Sequence, residues 1–201
     1  MKKAMTLSIC LLVTLTSLAS NFTSSMSSNF DDKGKNEITL TLEDVKVGQN
    51  LSITDLDGFT LYSKTLKKSG SSNHTFDFSN LPNGTYFFEH DKSNQIKVIP
   101  FKVNFGDVTF DASDEKVIYK PVVRLVNDYV YLSKLELDKE DVDVAIYYDV
   151  DNNQNYKNVH KETITNTTNI QCAFKLSAKQ SGNYKMVISA NGRKYIEYFS
   201  I

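Results

Sequence analysis

Apolar and polar residues alternate in short runs along nearly the whole chain, and turn residues separate the runs. Ile38, Leu40 and Leu42 fall on one face of residues 37–42, and Leu51-Ser52-Ile53-Thr54 follows beyond Gly48. A period of two is what a strand with one buried face requires. Asp55-Leu56-Asp57-Gly58 predicts a hairpin, because Asp-Gly between alternating runs is a strong turn signal. Residues 59–66 then read as the return strand, with Phe59, Leu61 and Leu66 inward. Residues 67–73 read as a polar loop and residues 75–78 as a strand. Leu81-Pro82-Asn83-Gly84-Thr85-Tyr86-Phe87-Phe88-Glu89 is a tight turn feeding a strand. Pro82 presets φ there, Gly84 supplies a conformation that a Cβ resists, and Tyr86 and Phe88 share a face. Residues 91–94 predict another hairpin, and residues 95–105 close the unit. Pro100 within that run predicts an edge or a bulge, since proline cannot donate to a ladder. Six strands at this spacing predict a sandwich.

The pattern then starts again. Residues 106–115 read as a junction in which Val108, Phe110 and Ala112 can make a short strand. Strands are expected over residues 117–126 (broken by Pro121), 129–137, 142–148, 157–164, 170–176, 183–190 and 195–201, with Asn191-Gly192 a second strong hairpin signal. No segment carries a sustained helical period. Gly84 and Phe101 are as far apart as Gly182 and Phe199, and Gly84-Thr85-Tyr86 and Gly182-Asn183-Tyr184 occupy the same place in each half. Phe76-Asp77-Phe78 corresponds to Phe174-Lys175-Leu176. This reads as one β module written twice.

The first residues change the picture by predicting export. Lys2 and Lys3 precede a mostly apolar stretch over residues 5–15, and Ser17-Leu18-Ala19 offers small residues for cleavage after Ala19. The stretch is shorter than the roughly 20 residues of a membrane span, so no span is expected after signal cleavage. Residues 20–35 are rich in Ser and Asn, then charged, and read as a flexible leader. Cleavage removes two lysines and no acid, taking the formal charge from −1 to −3. A mildly acidic chain with interspersed charges excludes an electrostatic nucleic-acid binder. Only Cys172 would remain, which excludes an intramolecular disulfide; Ile170, Cys172 and Phe174 share a strand face, so Cys172 reads as a small buried hydrophobe.

Candidate chemistry is sparse. His74, His90 and His160 lack zinc-type spacing and read as surface or strand-edge residues. No nucleophile elbow, phosphate loop or H-E-x-x-H occurs, so no enzyme and no cofactor is expected. The candidate metal site is Asp149, Asp151, Asn153 and Asn155, because oxygen ligands at alternate positions suit calcium. Gln154 stands where a calcium loop places glycine, and His160 where it places a bidentate Glu. The other reading is an Asx-rich turn, whose side chains bond their own backbone. Tyr147 and Tyr148 must point to opposite faces of their strand, so one ring is expected outside, where aromatics serve protein or glycan partners.

Asn50-Leu51-Ser52-Ile53-Thr54-Asp55-Leu56-Asp57-Gly58, followed by residues 75–89 with Leu81-Pro82-Asn83-Gly84-Thr85-Tyr86, resembles the C-terminal sorting domain of the type IX secretion system of Bacteroidota. The resemblance covers residues 37–105 well and 129–201 loosely. In that family the domain ends the chain, whereas residues 106–201 follow it here. The resemblance implies small Ig-like sandwiches. The expected architecture is therefore all-β: a signal peptide (1–19), a flexible leader (20–35) and two tandem Ig-like β-sandwich domains (36–105 and 106–201). The expected function is an exported, non-catalytic protein with a binding or structural role, in the periplasm, at the cell surface or outside the cell, its partner another protein or a glycan. The alternative is a secretion cargo or sorting-type module, and the least favoured reading is a hydrolytic enzyme, which would need two carboxylates facing across a cleft.

Overall fold

A computed structural model describes residues 8–10, 30–34, 37–110, 112–177 and 180–201. The strands are β1 (Ser8–Cys10), β2 (Phe30–Gly34), β3 (Glu37–Val45), β4 (Asn50–Asp55), β5 (Thr60–Thr65), β6 (Gly70–Asp77), β7 (Gly84–Asp91), β8 (Gln95–Asn104), β9 (Asp107–Phe110), β10 (Lys116–Tyr119), β11 (Val122–Val126), β12 (Tyr129–Leu135), β13 (Val142–Asp149), β14 (Tyr156–Ile164), β15 (Asn169–Lys175), β16 (Asn183–Ala190) and β17 (Arg193–Ser200). The fold is all-β, and its one helical turn among the described residues is a 3-10 turn at Ala112–Asp114. No helix among the described residues is long and apolar enough to cross a membrane.

The chain divides into two units, Ser17–Ile118 and a second made mainly of Tyr119–Ile201. In the first, one sheet has the order β10-β8-β7-β4-β5, with β9 also on β8, and the other the order β2-β3-β6. Alternation places Leu40, Leu51, Phe88, Ile99 and Phe101 in one core between them. Rings from the two sheets meet there: Phe76 and Phe88 at 5.2 Å between centroids, Phe78 and Phe101 at 5.1 Å. The buried rings of Phe78, Phe88 and Phe101 each add about 2 kcal/mol by area, and their ring contacts add more. The second unit has β14-β13-β16-β17 facing β1-β15-β12-β11, with Leu132, Ile146, Phe174, Tyr184 and Met186 fully buried.

The two units share a strand order. β8-β7-β4-β5 over β2-β3-β6 matches β17-β16-β13-β14 over β11-β12-β15. A four-on-three antiparallel distribution with a buried tyrosine at the start of the penultimate strand is the plan of Ig-like sandwiches. The Tyr86 hydroxyl donates to Pro82 O at 2.8 Å, and the Tyr184 hydroxyl to Gln180 O at 2.6 Å. Each ring stacks on a phenylalanine of the strand that follows, Tyr86 on Phe101 of β8 at 5.6 Å and Tyr184 on Phe199 of β17 at 5.8 Å. Burial, and then Tyr148, push the Tyr184 phenol up to about 12.

Several local expectations change. Phe59 and Leu61 face solvent, 70% and 49% exposed, and Tyr62 is the residue opposite core Ile53. The ladder skips Leu61 at a bulge beside Ile53 and Thr54, so straight alternation from Phe59 lands on the wrong face. Gly84 is not among the positive-φ residues, so the expected backbone reason for glycine does not apply there; a Cβ would come into contact with the Tyr86 ring at 3.4 Å. Residues 70–73 are strand, because β3 supplies backbone partners to a polar edge strand that needs no apolar pattern. The same reasoning covers β2, inside the expected leader, which pairs with β3. β9 and β10 both pair with β8, which carries the first unit past the expected boundary at 105. Pro100 lies just before Phe101–Asn104, the stretch of β8 that pairs with β9. The expected signal segment lies outside the described residues except for β1, which pairs antiparallel with β15.

Candidate functional site

The Asp149 to Asn155 loop leaves the sheet at the end of β13. The Asp149 carboxylate is buried and accepts three backbone N–H groups, from Asn153 (3.3 Å), Gln154 (3.0 Å) and Asn155 (3.1 Å). The Asn153 side chain accepts the Asn155 N–H at 3.1 Å, and Asp151 accepts the Asn155 side-chain amide at 3.5 Å. Asn152 and Gln154 take positive φ, 54° and 69°. The loop therefore brings Asp149, Asp151, Asn153 and Asn155 together, but it turns Asp149 towards backbone donors, in the manner of an Asx-rich turn. Among the described residues no group of three or more His, Cys, Asp or Glu side chains is arranged to hold a metal ion.

Buried ionisable groups form a second set. His90 is 1% exposed; its Nε2–H donates to Gln49 Oε1 at 2.8 Å, and its Nδ1 has no partner among the described residues. Burial pushes its imidazole down to about 4, with Lys92 and Lys97 reinforcing the shift against Asp91. His74 is buried too and lowered by burial and then Lys64. Two of the three histidines are thus buried and not at the surface: His74 points inward from edge strand β6, and His90 continues the inward parity of Tyr86 and Phe88 on β7. Lys97 pairs with Glu115 at 2.6 Å. In the second unit Lys134 pairs with Glu136 at 2.5 Å, and Asn191 joins both. The lysine and glutamate of each pair thus partner each other within their own unit.

The outward face of the β14-β13-β16-β17 sheet is the third set. Tyr148 turns inward, its ring 4.9 Å from Tyr184, so Tyr147 turns outward as its parity demands. β13 and β16 place Tyr147 opposite Lys185, and the β16-β17 hairpin places Lys185 opposite Tyr198. Tyr156 stands opposite Asp149 at the same end of the sheet. The Lys185 ammonium lies 4.3 Å from the Tyr156 ring centroid and 5.2 Å from that of Tyr147. Tyr156 and Tyr198 meet edge to face at 6.4 Å. Tyr198 is 67% and Ile196 45% exposed. The outward Tyr147 was legible from alternation. Lys185 was missed, although the Asn191-Gly192 turn alone places it beside Tyr198. On the outer side of the other sheet a cavity of about 530 Å³ is lined by Arg124, Tyr131, Ser133, Gln171 and Ala173.

No curated protein matches the chain. Among solved structures it is similar to the BSP domain of a biofilm-associated protein (14% identity, TM-score 0.29, covering 83% of this chain and 27% of that one). It is also similar to Escherichia coli alpha-2-macroglobulin domains MG0-NIE-MG1 (7%, TM-score 0.27, 82% and 59%) and to the human OSCAR ligand-binding domain (10%, TM-score 0.25, 83% and 90%). The chain thus spans about a quarter of the first of these and under two thirds of the second. Residues 33–102, most of the first unit, match the family described as the secretion system C-terminal sorting domain.

Proposed function

We propose that this chain is an exported, non-catalytic cargo of type IX secretion, built from one β-sandwich module used twice. The first unit serves as the sorting-type module, and the second presents a binding surface at the cell envelope or outside the cell. The observation that carries this reading is the match of residues 33–102 to the sorting-domain family. Use of one module twice is supported by the shared strand order and by the paired tyrosine corners. A binding role is supported by the outward Tyr and Lys cluster of the second unit, and a non-catalytic one by buried ionisable groups that partner one another within each unit. The partner is a protein or a glycan, since the net charge of −1 gives no field for nucleic acid.

The test is localisation in a Bacteroidota host. The full chain is expected at the surface or in the medium of a strain with a working type IX system, and in the periplasm of a strain without one. Equal release from both strains would refute the route. Removing residues 129–201 should leave export intact; retention in the periplasm would move the sorting role to the second unit.

A further inference from the structure

In the second unit β1 pairs antiparallel with the outer side of β15, in the register Ser8 to Phe174, Ile9 to Ala173 and Cys10 to Cys172. β12 takes the other side of β15, so β15 is the edge of its sheet but for β1. β1 lies inside the expected signal segment. Removal of residues 1–19 therefore opens a row of backbone N–H and C=O groups that accepts an antiparallel strand in this structure.

The matching edge of the first unit is built differently. β6 takes the place of β15 in the shared strand order, and no described strand covers its outer side. Gly70 to Thr75 offer no apolar side chain to a partner strand, and the pairing of β6 with β3 is broken between Leu42 and Val45. Such a break turns an open edge away from further pairing. β15 has no such protection. It pairs with β12 in unbroken register, carries no charge before Lys175, and buries Ile170, Cys172 and Phe174. The other edge strands of the second unit, β11, β14 and β17, carry charges within their length, among them Arg124, Lys161 and Glu197. A regular, uncharged edge is a template for another strand.

We propose that, once residues 1–19 are removed, β15 pairs antiparallel with β15 of a second copy of this chain. The second copy is selected because β15 is complementary to itself. With Cys172 on the twofold axis, all seven residues of the strand are paired. Ile170 then stands opposite Phe174 of the other copy, Gln171 opposite Ala173, and Asn169 opposite Lys175. Apolar side chains meet apolar ones on the inward face. The two Lys175 side chains lie at opposite ends, each facing an asparagine, so no like charges meet. The two β11-β12-β15 sheets join into one, and the isologous contact closes without leaving a further edge there.

This inference rests on the export reading, in which residues 1–19 are removed. It is tested by sedimentation equilibrium of the chain purified after export, with native mass spectrometry to identify what it carries. A homodimer in concentration-dependent exchange with monomer is expected. The full chain, with β1 in place, should stay monomeric at concentrations where the processed chain is dimeric. Gln171→Lys with Ala173→Lys sets lysines opposite one another at two points and leaves the inward face unchanged. It should weaken dimerisation about tenfold or more, since like charges directly opposed across two strands repel. Gln171→Thr with Ala173→Thr, uncharged and suited to a strand, should dimerise as the parent chain does. The proposal is overturned by a processed chain that stays monomeric, by a full chain that dimerises equally well, by a dimer that the lysine variant leaves unchanged, or by a different polypeptide held on this edge in place of the second copy. A monomer released only with a working type IX system would keep the export reading and lose this one.

Discussion

The two units place the same strands in the same order and put ionisable groups at different points of that frame. Leu40 pairs with His74 in the first unit where Leu132 pairs with Cys172 in the second. His90, two residues beyond Phe88 on the inward face of β7, has Ile188 as its counterpart on β16. Conversely, Leu42 in β3 becomes Lys134 in β12, and with Glu136 it forms a buried pair that the first unit lacks at that point. The backbone plan tolerates these exchanges because strand pairing and the tyrosine corner fix it. What the exchanges alter is how each unit responds to losing a partner or gaining a proton.

The largest difference is expected at the ion pair. Glu136→Leu leaves the Lys134 ammonium buried without its carboxylate, and should destabilise the second unit by about 3–5 kcal/mol. Lys134→Leu with Glu136→Leu copies the apolar character of Leu42 and should recover most of that loss, since a buried pair exchanged for apolar side chains is often neutral. Denaturant unfolding of the two variants checks the order; a double variant as unstable as the single one would mean that the pair itself holds the second unit together.

The second difference is pH dependence. An unfolded histidine takes up a proton near pH 6.5, while folded His90 resists until about 4. The first unit should therefore hold its full stability above pH 6.5 and lose up to about 3 kcal/mol as pH falls from 6.5 to 4. His74, lowered in the same direction, adds to the loss. Protonation would also give Nδ1 a hydrogen with no acceptor among the described residues. Amide hydrogen exchange read unit by unit should show the fall in the first unit, with Ile188 sparing the second at the matching position. His90→Leu should flatten the profile.

How much of this was readable from the sequence depends on whether a signal is local. Asp57-Gly58, Asn191-Gly192 and Leu81-Pro82-Asn83-Gly84 each specify a turn within a few residues, and strands β4, β7, β16 and β17 beside them lie where alternation predicts. Parity also holds through Tyr86, Phe88 and His90, so the buried histidine was legible to anyone who continued the count. Alternation failed at Phe59 and Leu61, because a bulge is a property of the pair of strands. β9 is the short strand that Val108 and Phe110 predict, paired with its neighbour β8; β2 pairs with its neighbour β3 without an apolar pattern to announce it, and β10 joins β8 from beyond β9 in the chain, which no local pattern encodes. The Tyr and Lys face is intermediate: the hairpin fixes Lys185 beside Tyr198, while its approach to Tyr147 and Tyr156 needs the β13-β16 register.

The next comparison is between the aspartates that end β4 and β13. Asp55 Oδ1 accepts the N–H groups of Asp57 at 3.0 Å and Phe59 at 2.8 Å, and Asp149 accepts three. Asp149 is buried, so Asp149→Ala strips acceptors from N–H groups that water reaches less easily. A loss of about 2 kcal/mol is expected, against about 1 for Asp55→Ala. Millimolar calcium should leave the melting temperature of the full chain unchanged, because binding would have to pull the Asp149 oxygens off those donors; a clear rise would revive the metal reading of Asp149, Asp151, Asn153 and Asn155.

The smallest and most symmetrical test is the tyrosine corner. Tyr86→Phe and Tyr184→Phe each remove a hydroxyl and keep the ring, so the stacking on Phe101 and Phe199 survives. Each should cost about 1 kcal/mol, the net value of one hydrogen bond. Tyr184 is the more buried of the two, 1% exposed against 7%, so the carbonyl it leaves behind at Gln180 is the harder to rehydrate and its variant should be the costlier. Equal losses would mean that the corner does the same work in both units despite their different interiors. A loss confined to the second unit would mean that the first, with Pro82 already holding the turn, uses the hydroxyl only to satisfy a carbonyl that water can reach.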